Sequence, residues 1–440
     1  MNGSAAGAAS IARASDRDVR FVAERAPGGP YVAITAAAVG FVCFGGLRFA
    51  DAITASDVLF LVAAALAGVA ALRHRETPVT VPAWLVGAAA GLIAAGLLVE
   101  LFPPAPPSRI LLDRKVSLDE LRQLSNLPVL ARFLFALAVV PLLIAMAASS
   151  GARVRLLVNL WLAAVAVNCV VALADYWGAG IGEALTGGDY RTHVAGQPDR
   201  QPGLTTHPLE LSLQSVMALP VVLARLSSGR GRREALLALL PLLIVGLLLT
   251  GSRAGLLGAT IGSVLILLLQ RRPRWALVSA TFFLALFAAG AAGVDAPLLQ
   301  GAERLSGGGT AAVSDDRRTL GWDQAGADIS ERPLLGYGFQ FVRSAHSVYL
   351  QLLQAGGPLA LVAFLLFAAG VLRMAVRLGR GGDPRGSPAA LGQALGVAML
   401  VWLLTGLVQN SIFDRFLYLP AGLLLGLCLW APRDAADRVR

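Results

Sequence analysis

Twelve long apolar runs, with arginine clusters at every second junction, constrain this chain more than any other feature. They lie at approximately 30–49, 55–72, 80–102, 128–149, 154–177, 208–226, 235–250, 255–270, 275–294, 348–374, 389–409 and 415–431. Several approach about 20 residues, the length a helix needs to cross a hydrocarbon core of roughly 30 Å. Hydrophobic residues fill 56% of the 440 positions and charged ones only 15%, too little polar surface for a soluble chain of this size. A transmembrane β-barrel would show short alternating segments instead. The expected fold class is all-α: a polytopic integral membrane protein of about 12 transmembrane helices. Residues 1–29, polar and without a signal-peptide core, read as a disordered cytoplasmic tail, 30–431 as the transmembrane domain and 432–440 as a second cytoplasmic tail.

Arginine orients the runs, because short basic connections stay on the cytoplasmic side. "RHR" (73–75), "RVR" (153–155), "RLSSGRGRR" (225–233), "RRPR" (271–274), "RMAVRLGRGGDPR" (373–385) and "RDAADRVR" (433–440) follow runs two, four, six, eight, ten and twelve. Both termini are thus expected in the cytoplasm, and the same alternation accounts for the net charge of +10 without invoking nucleic acid. Cys43, Cys169 and Cys428 each lie inside an apolar run with no metal-ligand or CxxC spacing, so they read as packing residues.

The connections left for the outer side are 50–54, 103–127, 178–207, 251–254, 295–347 and 410–414. Segment 116–126 has apolar residues at helical spacing and is expected to lie flat on the outer surface. The large loop 295–347, before the tenth span, starts with Gly, Ser and Asp and reads as flexible there. "DRRTLGWDQAGADI" then carries a helical pattern, and "ERPLLGYGF" stops it with proline and glycine. Long loops in an otherwise economical membrane chain are where function concentrates.

Four polar residues on that side stand out. His346 sits at the doorway of run ten, where a neutral imidazole can take a proton from a hydroxyl near pH 7. Continued as a helix, it would share a face with Tyr349. The plainer alternative is a histidine anchoring a helix end. Among the other histidines, His74 falls on the basic side, His193 in a loop, and His207 at the start of run six, as a cap or packing group. Arg253, in "GSRAG" (251–255), separates two apolar helices with almost no loop. Exposed to lipid it would cost at least about 2.5–3.5 kcal/mol, so it should face a cavity or a partner. A helix N-terminus and a guanidinium fork together suit phosphate oxygens. Arg318 is i,i+4 to Trp322 on the loop helix, with Arg317 as a substitute, and Arg200 leads the loop "DRQPGLTTHPLELS" (199–212) into run six. Surface ion pairing is the plainer alternative for both Arg318 and Arg200.

Three cations and one titratable base suit a pyrophosphate leaving group and a hydroxyl nucleophile. The one Asp-x-Asp pair, Asp16 and Asp18, lies in the cytoplasmic tail, and no phosphate-binding glycine loop occurs. No metal or other cofactor is expected. The donor must reach the outer side already activated.

These residues resemble the O-antigen ligase and O-antigen polymerase superfamily of bacterial envelope proteins. The resemblance is carried by "RQPGLTTHPLELSLQSVMALP" (200–220), "GSRAG" (251–255), "RRTLGWDQAGADISERPLLGYGF" (317–339) and "HSVYLQLLQAGGPLAL" (346–361), in the family's order. It implies a metal-independent, inverting glycosyltransferase of the bacterial plasma membrane with an extracytoplasmic site. The implied donor is a glycan on an undecaprenyl-type polyprenyl pyrophosphate; the implied acceptor is a glycan or lipid. It further implies that His346 is the catalytic base and that Arg253, Arg318 and Arg200 bind the pyrophosphate. Two positions depart from the family pattern: Ser347 stands where Asn is common, and Pro208-Leu209-Glu210 replaces Pro-Asn, which gives Glu210 a different part. Ligase and polymerase both remain open at this point. So does a glycolipid transporter or flippase, for which Glu100 and Asp175 are the nearest to intramembrane charges.

Overall fold

The computed structural model describes residues 29–50, 53–73, 81–104, 126–186, 200–229, 233–292, 310–341, 345–380 and 387–437. Each of the twelve apolar runs coincides with a helix. In chain order the helices are α1 (Pro30–Phe41), α2 (Ala55–Arg73), α3 (Ala83–Leu101), α4 (Asn126–Ala147), α5 (Gly151–Tyr176), the short α6 (Ile181–Thr186), α7 (Pro208–Ser227), α8 (Arg233–Leu249), α9 (Arg253–Leu269), α10 (Pro273–Ala291), α11 (Thr310–Glu331), α12 (Val348–Arg380), α13 (Ser387–Thr405) and α14 (Leu419–Asp437). Seven of them (α2–α5, α7, α12 and α13) are long and apolar enough to cross a membrane. The chain is therefore a polytopic helical membrane protein. α1, α9, α10 and the segment Arg415–Leu429 are shorter apolar helices. The predicted tail 1–29 (but for Gly29), the surface segment 116–126 (but for Asn126) and the loop start 295–309 lie outside the described residues, as do His74 and His193.

Several boundaries differ from the sequence expectation, each for a local reason. Run one ends as helix at Phe41. Gly45 and Gly46 then turn the chain into an antiparallel pair, β1 (Arg48–Ala50) and β2 (Ile53–Thr54). Thr54 and Asp57 start α2 by exchanging side-chain and backbone hydrogen bonds of 2.9 and 3.3 Å, a reciprocal cap. α4 takes a π turn at Phe135–Val139, just before Pro141, whose missing N–H cannot continue the regular ladder. α14 runs on past residue 431 to Asp437.

The largest departure is in run ten. α12 is two helices joined at a kink, with Gly356 at φ −141° and Gly357 at φ 63° immediately before Pro358. Only glycine adopts the second conformation without strain. A Cβ on Gly357 would stand 2.1 Å from the Leu334 carbonyl oxygen.

α7 is the most enclosed of the seven long helices and packs on α5, α8, α9 and α13. Gly258 and Gly262 let α9 approach α13 so closely that an added Cβ on either would lie 3.0 Å from Val401. On the other flank Trp402, Tyr418, Phe364 and Phe367 are fully buried, with ring centroids 5.3–6.4 Å apart. Bundle ends are tied by backbone bonds. Gln201 N donates to Leu249 O at the end of α8 (3.0 Å), and Gly46 N to Leu204 O (2.8 Å). Residues 200–207, α9's first turn and β1 thus share one end of the bundle. The arginines Arg225, Arg233, Arg271 and Arg272 sit at the other, around the ends of α7 and α9 and the starts of α8 and α10.

Candidate functional site

Arg253 is the first residue of α9. Ser252 caps that helix by accepting a hydrogen bond from Gly255 N at 3.1 Å. Both terminal nitrogens bind one carboxylate: Nη1 donates to Asp315 Oδ2 at 3.0 Å and Nη2 to Asp315 Oδ1. The carboxylate is shared, since Arg318 Nη1 lies 3.4 Å from Asp315 Oδ1, one helical turn along α11. The Arg253 and Arg318 side chains are 20% and 23% exposed and Asp315 46%, so the pair of cations is partly open to solvent rather than sealed in a core.

Arg200 joins from the loop ahead of α7. Its Nε donates to Thr250 O at 2.7 Å and its side chain lies over Gly251, within 3.4 Å of where a Cβ would be. That is the turn that leads into Arg253. The loop is fixed from beneath by Asn168, which accepts from Leu204 N at 2.5 Å and donates to Gln214 at 2.7 Å.

His346 is not on a helix. It precedes the first residue of α12 by two positions and has φ 45°, a left-handed conformation uncommon for a residue with a Cβ. The face shared with Tyr349 therefore does not form: the Tyr349 hydroxyl donates to Leu403 O at 2.7 Å and the ring packs on Phe364. Burial, and next the field of Arg318, hold the His346 imidazole below the ordinary histidine value. Near neutral pH it is the free base. Burial likewise lowers the Arg318 value, Arg253 adds to the effect, and Asp315 opposes it.

α11 carries Arg318 and Trp322 as the helical spacing predicts, and it begins earlier than expected, at Thr310. Arg317 is exposed, and Trp322 is 39% exposed. The last turn and the stretch after it are riveted to the first half of α12. Gln354 donates to Asp328, Tyr337 N donates to Gln354 O at 2.7 Å, and Gly338 N to Ala355 O at 2.8 Å.

Three other residues take different places. His207 is the N-cap of α7, its Nδ1 accepting from Leu209 N at 3.1 Å. Glu210 accepts from Thr206 through both the backbone (3.1 Å) and the hydroxyl, and its charged neighbours are Asp414 and Arg48. Asp175 caps α6, accepting from Ile181 N at 2.6 Å and Gly182 N at 2.9 Å, while Glu100 is exposed near the end of α3.

Sequence reasoning missed Asp315. Its signal was the run Ser314-Asp315-Asp316-Arg317-Arg318, where an aspartate three residues ahead of an arginine pairs with it on one helix face. It also missed the buried pair Asp57–Arg415, with Oδ1 and Nε 2.5 Å apart and each side chain 6% exposed.

Residues 237–365, from within α8 to within α12, match the family model described as O-antigen ligase. Over that segment the chain is O-antigen ligase-like. The O-antigen ligase-like segment holds Arg253, Asp315, Arg318 and His346; Arg200 lies ahead of it. No curated protein matches the chain.

Proposed function

We propose that the chain is a membrane glycosyltransferase that moves a glycan from an undecaprenyl-type polyprenyl pyrophosphate to an acceptor hydroxyl, on the outer face of a bacterial plasma membrane. The observation that carries this reading is the shared carboxylate. Two guanidinium groups from separate elements already converge on one anion, Asp315, beside an imidazole held neutral. A pyrophosphate presents the same kind of oxygens with more charge, and guanidinium forks suit it.

In the proposed step the acceptor oxygen attacks the anomeric carbon from the side opposite the lipid pyrophosphate. The new carbon–oxygen bond forms as the bond to pyrophosphate breaks, its electron pair leaving with the phosphate. The hydroxyl proton passes to His346. Arg253 and Arg318 hold the leaving group and stabilise its growing charge, the kind of electrostatic work that dominates many active sites. Arg200 assists from the turn ahead of Arg253. The product of the displacement has the inverted configuration, and no metal takes part. A ligase-type transfer to a lipid or glycan acceptor is the form of the reaction we favour.

The test uses purified chain in liposomes with a lipid-linked glycan, reading release of polyprenyl pyrophosphate. Wild type should release it, and His346→Ala and Arg253→Ala should not. Transport of the glycolipid across the bilayer without cleavage would overturn the reading.

A further inference from the structure

A cavity of about 500 Å³ opens between α7, α8, α9 and α10, at the bundle end opposite the arginine–histidine cluster. Its walls are leucine, isoleucine, valine and phenylalanine, with Leu223 among them. Of the three serines lining it, Ser227 ends α7 at the rim, and the two in the wall satisfy each other: Ser279 and Ser263 are 2.9 Å apart, and Ser263 also donates to Ala259 O at 2.5 Å. Neither needs a partner from inside the cavity, so the space suits a hydrocarbon rather than water or a polar solute.

The rim differs from the wall. Arg233, at the start of α8, and Arg272, between α9 and α10, both line it. Among the described residues neither forms an ion pair; Arg272 reaches only the Ser227 carbonyl, at 3.4 Å. Trp275 stands beside them, 62% exposed, at the depth where indole rings mark a membrane–water boundary. α10 itself turns Leu277, Val278 and Leu284 outward, as a lipid-facing helix does.

An apolar slot beneath a cationic rim at the membrane boundary has the shape of a phospholipid. We propose that it binds an anionic phospholipid of the leaflet opposite the candidate site, with one acyl chain between the helices and the phosphate against Arg233 and Arg272. The charge of the rim selects the headgroup and the cavity selects the chain. The inference goes beyond the glycosyl-transfer reading and does not depend on it.

Native mass spectrometry of the detergent-purified full chain, titrated with dioleoyl-phosphatidylglycerol or dioleoyl-phosphatidylcholine, tests it. Wild type should retain a single phosphatidylglycerol under conditions that strip phosphatidylcholine. Arg233→Gln with Arg272→Gln should weaken that binding roughly tenfold or more, with an unchanged melting temperature in phosphatidylcholine. Leu223→Trp, which fills the slot, should weaken both lipids. Equal retention of the two lipids by wild type would overturn the proposal, as would undiminished phosphatidylglycerol binding in the double variant. Should the double variant fail to fold, phosphatidylglycerol with a photoreactive acyl chain decides on wild type alone. Labelling of 219–227 and 275–283 supports the site, and labelling elsewhere overturns it.

Discussion

Replacing Arg253 and replacing Asp315 both break the same ion pair, yet the two changes should part company in activity. The pair is two-pronged, but Asp315 is nearly half exposed and Arg253 one-fifth exposed. Solvent screening limits such a pair to about 0–1 kcal/mol of stability. Arg253→Ala and Asp315→Asn should therefore melt within about 1 kcal/mol of wild type. If Arg253 also stabilises charge on a departing pyrophosphate, its loss removes a transition-state contact worth about 2.7–4 kcal/mol, or roughly 10²–10³ in rate. Asp315→Asn leaves both cations in place, and its cost should stay under about tenfold, the rate equivalent of some 1.4 kcal/mol. Arg253→Lys keeps the charge and loses the fork, and should fall between them. The assay is single-turnover release of polyprenyl pyrophosphate from a lipid-linked glycan, beside a melting curve for each variant. Equal losses in Arg253→Ala and Asp315→Asn would refute the reasoning, because the arginine would then matter only as the partner of the carboxylate.

Turnover should rise with pH through the depressed His346 value and level off before neutrality, since only the neutral imidazole accepts a proton. Arg318→Gln removes one cause of that depression, so the acid limb measured on residual activity should move to higher pH. The same depression contributes stability that is present above the ordinary histidine value and lost as pH falls through the lower native one; His346→Gln should flatten that part of a melting-temperature profile. Gly357→Ala pushes a Cβ to 2.1 Å from the Leu334 carbonyl oxygen at φ 63°, and should cost at least about 1–3 kcal/mol, visible as loss of monodisperse protein in detergent. Asp57→Asn removes the carboxylate paired with a buried guanidinium, leaving it Asp414 and the Phe413 carbonyl, and should destabilise by up to about 3 kcal/mol, while Asp57→Asn with Arg415→Met recovers most of that in a chemical-denaturation series.

Apolar runs and arginine spacing made the helices legible, because burial in lipid writes itself into composition at every position. Arg253 and His346 stood out for a related reason, each a polar group beside a stretch that has no use for one; Arg318 and Arg200 were picked from the loops on the same side, and the structure brings the four to one end of the bundle. What stayed hidden depends on contacts between distant segments. Nothing local to Asp315 announces that α9 will deliver a second guanidinium to it. By contrast, the triplet Gly356–Gly357–Pro358 in run ten carries its own helix-breaking signal, which the expectation of one continuous span passed over, and the Leu334 carbonyl, 2.1 Å from where a Gly357 Cβ would stand, shows why glycine is required there. With the helix starting only at Val348, His346 lost the neighbour, Tyr349, that periodicity had given it. Glu210 stood out only as a departure from the family pattern, and three-dimensional proximity gives it Arg48 and Asp414 as charged neighbours.

The rivets between α11 and the first half of α12 have a mechanical corollary. They make Arg318 a passenger on the pair α11 and α12, while Arg253 rides on α9 and Arg200 is bonded to Thr250 just past the end of α8, and Asp315 is the clasp between α11 and α9. Undoing a half-wetted clasp takes little more than thermal energy, so Arg253 and Asp315 can part without any helix having to unpack.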